Sequence, residues 1–295
     1  MILGLGTVQF GLDYGITNMA GRPPLDSVRA ILDHASQSGI HTLDTAALYG
    51  ESESVLGQAL PRPHRFGIVS KTLPLDMALS EKDAIAQVTS GIGRSLQRLG
   101  ETCLNGLLVH RPDDLLGPMG DALFKALSSQ REQGFVRKIG VSVYTPQEAL
   151  TLLERYPIEI IQLPLNPLDQ RHLREGSLHA LAAAGVEIHV RSAFLQGLLL
   201  APSKSLPGGL EALAPAMSNW QSLLLTEQLS PLQGCLGFLS GIPAVSVAVC
   251  GTTSLSEWQE IVAANASAPA LPTEIFKKLP VLDDKLIDPR FWPKK

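Results

Sequence analysis

Four titratable side chains fall at one kind of place in this chain, just after a short apolar run. Asp44 follows Ile40–Leu43, with Tyr49-Gly50 shortly beyond it. Lys71 follows Ile68–Ser70, and His110 follows Leu107–Val109. A carboxylate, a phenol, an ammonium and an imidazole brought together can move protons and stabilise charge at a reacting group. Later runs end on polar residues too: Ser142; Gln162, with Asn166 beyond it; Arg191 and Ser192; and Gly251-Thr252-Thr253. Taken singly, each has an ordinary explanation. Asp44 can cap a helix, Tyr49-Gly50 can be a turn, Lys71 can form an ion pair, and His110 can be a satisfied core imidazole. Buried charge is costly unless paired or used, so an Asp, a Lys and a His at three successive run ends is more than a core requires.

The runs themselves read as strands: Ile40–Asp44, Phe66–Ser70, Leu104–Val109, Lys138–Val143, Glu159–Leu163, Val186–Arg191 and Val245–Cys250, with Met1–Leu5 as one more. Helical patterns lie between most of them, over 25–38, 52–60, 82–99, 119–133, 146–155, 171–184, 218–229 and 255–264. In the first, Val28, Ile31, Leu32 and Ala35 share one helical face, Pro23-Pro24 precede it and Gly39 follows. Strands that alternate with helices must pair in parallel. Eight such units over about 270 residues fit a (β/α)8 TIM barrel of one domain spanning 1–295. An N-terminal strand or hairpin and a C-terminal tail over the barrel mouth complete this expectation. A doubly wound sheet is the weaker alternative, because no GxGxxG opens a helix after the first strand. The stretch from Arg191 to Val245 reads as a long loop plus a helix.

With 295 residues, 45% hydrophobic and 18% charged, the chain holds ample material for a core, which excludes disorder. A net charge of −4 offers no electrostatic footprint for nucleic acid or a membrane surface. Cys103, Cys235 and Cys250 form neither a CxxC pair nor a zinc pattern and read as small buried hydrophobes in a reducing compartment. The opening MILGLGTVQF has no basic segment ahead of it, and no apolar stretch reaches membrane-spanning length. The expectation is a cytoplasmic protein without a signal peptide or membrane span.

The segments LDTAALYGESESVLGQAL, IVSK, LLVH, IGVS and IIQLPLN, in that order, resemble the aldo-keto reductase superfamily, as does the opening LGLGTVQFG. The resemblance runs from about residue 2 to 264, and its most specific part is Leu43–Gly57. It implies a catalytic tetrad of Asp44, Tyr49, Lys71 and His110 and a nicotinamide cofactor, NADP(H) or NAD(H), with no metal. It also implies reduction of a small-molecule aldehyde or ketone to an alcohol, with hydride from the nicotinamide and the proton from Tyr49. Lys71 is then expected to lower the phenol pKa of Tyr49, Asp44 to hold Lys71, and His110 to orient the substrate oxygen. The cofactor residues it implies are Thr7, Ser142, Gln162, Ser192, Phe194, Leu195, Gln196, Gly251, Thr252, Thr253 and Glu257.

Three positions depart from the family pattern. Val143 stands where an Asn is common, Thr252-Thr253 where an Arg or Lys often pairs with the 2′-phosphate of NADP, and Ile261 where an Asn often lies near the adenine. The first loses a side-chain hydrogen bond and the second a charge-assisted fork, so NADH use or loose NADPH binding is expected unless Lys204 or another loop group supplies the charge. The altered clamp also admits a second class of function, a nicotinamide-binding regulatory or interaction protein with little turnover. A third is a barrel lyase or aldolase using Lys71 in a Schiff base. Phe10, Tyr14 and Trp292 are candidate walls of an apolar substrate pocket.

Overall fold

The computed structural model describes residues 1–201 and 206–293. Eight strands close into a barrel: β1 Ile2–Gly6, β2 Thr42–Asp44, β3 Gly67–Lys71, β4 Gly106–Val109, β5 Ile139–Ser142, β6 Ile160–Pro164, β7 Glu187–Arg191 and β8 Val247–Gly251. All neighbours pair in parallel, and β1 joins β8 to remove the sheet edges. The strands are packed on both sides, by the barrel interior and by the outer helices, which is why they read as short continuous apolar runs. Helix Leu25–Gln37 buries Val28, Ile31, Leu32 and Ala35, the four residues its spacing selects.

The register puts the polar run ends at one level. Gly6 pairs with both Asp44 and Gly251, Lys71 with Leu108, Ser142 with Gln162, and Pro164 with Arg191. The barrel mouth therefore collects them.

Several elements differ from the sequence reading. The single helix expected over 171–184 is two, Arg171–Arg174 and Ser177–Ala183, separated at Gly176, whose φ of +80° is left-handed. The helix expected over 218–229 begins earlier, as Ala214–Glu227. The stretch before β8 holds a further helix, Pro231–Ser240. Ser230 and Gln233 form a capping box at its start, but its interior is apolar on nearly every side, so no amphipathic stripe marks it. The C-terminal tail reaches the rim through Arg290, whose guanidinium lies 3.6 Å from the Tyr144 ring centroid. Trp292 turns inward and donates from Nε1 to the Leu286 carbonyl at 3.1 Å, while Phe291 is exposed.

Among the described residues no helix is long and apolar enough to cross a membrane. All three cysteines are free; Cys235 and Cys250 are buried, and burial pushes both thiols up, Cys250 to about 12.

His172 is fully buried beside the barrel, its Nδ1 2.9 Å from Ser177 Oγ. Burial, then the Arg171 charge, pushes its pKa down from 6.5 to about 3. The folded state thus keeps it neutral where the unfolded chain protonates it, so its contribution is intact above pH 6.5 and declines as pH falls toward 3. Urea unfolding at stepped pH should show stability falling below pH 6.5. His172→Gln should remove up to about 1.4 kcal/mol per pH unit of that slope. An unchanged slope in the variant would contradict this assignment.

Candidate active site

Asp44 ends β2 and Lys71 ends β3, side by side at the mouth and almost wholly buried. Lys71 Nζ donates to Asp44 Oδ1 at 2.7 Å and to the Thr45 carbonyl at 2.9 Å. Gln162 Nε2 donates to the other carboxylate oxygen, also at 2.7 Å. Burial pulls the Lys71 ammonium down while Asp44 holds it up, and the two charges form one buried pair.

Tyr49 sits in the turn between β2 and helix Ser52–Ala59. The β1 loop packs so closely against this turn that a Cβ on Gly11 would lie 1.9 Å from the Tyr49 carbonyl oxygen. Gly50, at φ +54°, completes the turn. The ring lies edge-to-face on His110, with centroids 5.8 Å apart at 81°, and Lys71 Nζ is 4.9 Å from its centroid. Burial lowers the His110 pKa to about 4, helped by the Lys71 charge, so the imidazole is neutral at neutral pH. Its Nδ1 is buried without a hydrogen-bond partner.

The Tyr49 phenol reverses one expectation. Burial, then the Asp44 carboxylate, pushes its pKa well above the ordinary value. Lys71 is not among the groups that pull it down. The cation that does pull it down is Arg191, at the end of β7.

These groups open into a cavity of about 600 Å³. Asp44, Tyr49 and His110 line it; Lys71 lies behind them. Of the eleven residues implied for cofactor binding, all but Leu195 line it as well. Leu195 is instead fully buried in the core, at a φ of +47° that turns the backbone of the β7 loop. The Thr7 hydroxyl is engaged by the Asp44 carbonyl at 2.8 Å and Ser52 Oγ at 2.9 Å, stitching β1 to the β2 loop. Gln196 is held from across the mouth: Ile16 N donates to its Oε1 at 3.0 Å, and Thr17 Oγ1 to its carbonyl at 2.8 Å. Gly197 must be a glycine here, since a Cβ would stand 2.1 Å from Thr17 Oγ1. Glu257 Oε2 accepts from Thr253 N at 2.8 Å, Thr253 Oγ1 at 2.9 Å and Thr252 Oγ1 at 3.1 Å. Of the candidate pocket walls, Tyr14 lines the cavity, whereas Phe10 and Trp292 belong to the packed core. Lys204 lies outside the described residues.

Two cavity acceptors are buried without partners, Gln162 Oε1 and Gln9 Oε1. Gln9, Tyr144 and Arg191 all line the cavity and are absent from the site residues expected from sequence. Arg191 carries the same strand-end signal as the tetrad; Gln9 and Tyr144 carry none.

Comparison with known proteins agrees with this architecture. Residues 2–283 match the model of the aldo/keto reductase family. An aldo-keto reductase of Mycolicibacterium smegmatis is 34% identical over 183 residues, covering 61% of this chain and 63% of that protein. The oxidoreductase YdhF of Escherichia coli is 31% identical over 179 residues, covering 56% and 58%. The matched region thus spans about 60% of the length of these curated relatives. Among solved structures, the holo form of an aldo-keto reductase from Bacillus halodurans superposes with a TM-score of 0.73 at 23% identity, covering 93% of this chain and 89% of that one. A glycerol dehydrogenase from Gluconobacter oxydans gives 0.71 at 22%, covering 99% and 93%. With the barrel, its mouth and the matched sequence in agreement, this chain belongs to the aldo/keto reductase family.

Proposed function

We propose that this chain is a nicotinamide-dependent oxidoreductase that reduces an aldehyde or ketone to an alcohol, with NAD(H) preferred over NADP(H). The observation that carries this reading is the convergence of Tyr49, His110 and the Lys71–Asp44 pair on one cavity whose wall keeps a buried, unpartnered acceptor, Gln162 Oε1. That acceptor, with the Ser142 hydroxyl beside it in register, fits the amide N–H of a nicotinamide carboxamide. The bound cofactor supplies a hydride to the carbonyl carbon and is itself oxidised by two electrons.

The chain's own residues handle the oxygen. Neutral His110 donates a ring N–H to it and fixes its orientation. Tyr49, held protonated by its raised pKa, gives up its phenolic proton as charge develops, because an alkoxide is a stronger base than a phenolate. The Lys71–Asp44 pair packs under the Tyr49 ring and keeps it in place.

The cofactor preference follows from charge. Thr252, Thr253, Glu257 and Glu260 line the β8 end of the cavity, and among the described lining residues there is no cation beside them. A 2′-phosphate there would face two carboxylates and no guanidinium, whereas a ribose hydroxyl can donate to Glu257. Titration of cofactor fluorescence with the purified protein should give NADH at least tenfold tighter than NADPH. Thr253→Arg combined with Glu257→Gln should narrow or reverse that ratio. Binding of neither dinucleotide would overturn the reading and leave the barrel as an interaction protein.

A further inference from the structure

The cavity contains a cation that the proposed chemistry leaves unassigned. Arg191 ends β7 and lines the cavity with Tyr14, Tyr49, His110 and Tyr144. Its guanidinium reaches from β7 to the Val143 carbonyl and the Tyr144 ring just past β5, rather than toward Thr253 and Glu257 beyond β8, and its charge acts on Tyr14, Tyr49 and His110 among others. Among the described residues it pairs with no carboxylate. The other cations nearby are already neutralised, Lys71 by Asp44 and Arg290 by Asp288.

Arg191 is also held in place in advance. Its guanidinium carbon rests 4.1 Å from the Tyr144 ring centroid, on the ring that Arg290 also contacts. Nη2 donates to the Val143 carbonyl at 3.0 Å, and Nη1 reaches Ser192 Oγ at 3.5 Å. A guanidinium has five N–H donors, so most of the fork remains for a ligand. A half-buried, oriented guanidinium with no direct carboxylate partner among the described residues is a good anion site.

Building on the reductase reading above, we infer that Arg191 binds a carboxylate carried by the carbonyl substrate, making this a reductase of keto or aldehyde acids. A single guanidinium offers a planar fork and one charge, which a carboxylate's two oxygens and one charge match. Docked there, the acid would hold its own carbonyl toward Tyr49 and His110.

The test compares 4-carboxybenzaldehyde with its methyl ester, which removes the charge and keeps the aldehyde. Wild type should favour the acid by at least tenfold in kcat/KM, mostly through KM. In Arg191→Met the acid-to-ester ratio should fall toward one, and Arg191→Lys, which keeps the charge without the fork, should lie between. Circular dichroism would confirm that both variants are folded. Equal use of acid and ester by wild type would overturn the inference. So would a loss of NADH affinity in Arg191→Met as large as the loss for the acid, which would assign the cation to the cofactor's diphosphate. If neither aldehyde is reduced, the reductase reading fails, and calorimetric titration with benzoate tests Arg191 separately. Benzoate binding that Arg191→Met abolishes supports the anion site; no binding to wild type overturns it.

Discussion

Tyr49→Phe should lower kcat for carbonyl reduction by about 10²- to 10⁴-fold, the usual share of a positioned general acid. NADH affinity should change by less than about threefold. The variant isolates the proton because the hydroxyl makes no hydrogen bond within the described protein, so removing it strands no buried partner. The ring keeps its edge-to-face contact with His110 at 5.8 Å and its place 4.9 Å from Lys71 Nζ. The turn is held by backbone, with Tyr49 N donating to the Ala46 carbonyl and Ser52 N to the Tyr49 carbonyl, each at 3.0 Å. Single-turnover measurement with prebound NADH would separate the chemical step from binding. Turnover within threefold of wild type would mean that another group, His110 or water, delivers the proton.

The neighbourhood of Tyr49 separates what is legible in the residue order from what only three dimensions reveal. The period of the apolar residues gives the barrel because each strand and helix must bury one continuous surface, and Val28, Ile31, Leu32 and Ala35 report that surface directly. The gathering of Asp44, Lys71 and His110 is readable because strand ends share one rim in a parallel barrel, and the register of Gly6 with Asp44 and Gly251 sets that level; their roles with Tyr49 come from the family resemblance. Helix Pro231–Ser240 is not readable, since a helix buried on nearly all sides loses its stripe. Electrostatics are the least readable. The resemblance pairs Lys71 with Asp44 beside Tyr49, but the order of residues does not reveal that burial raises the phenol pKa nor that Arg191 is a cation lowering it. Leu195 and Phe10 show a related limit. Both lie in the packed core rather than on the cavity wall, because a side chain's direction is set by loop backbone angles, such as the φ of +47° at Leu195.

Lys71→Met should damage stability and turnover together, and the two losses can be separated. Lys71 and Asp44 are both almost fully buried and 2.7 Å apart. Removing the ammonium leaves Asp44 as an uncompensated buried carboxylate, with only Gln162 Nε2 donating to it at 2.7 Å, and strands the Thr45 carbonyl. Breaking such a pair from one side costs about 3–5 kcal/mol, whereas replacing both partners is often close to neutral. Asp44→Asn in the Lys71→Met background should therefore restore much of the lost unfolding free energy in urea. Turnover should not recover, because the ion pair that packs against the Tyr49 ring is gone and the phenol no longer holds its angle to the substrate oxygen. The loss should appear in kcat far more than in the KM of the carbonyl, since a positioning defect weakens the transition state more than ground-state binding. Recovery of turnover in step with stability would show that the pair only braces the barrel. Recovery of stability alone would show that the pair is needed at the reacting end, where it holds the Tyr49 ring.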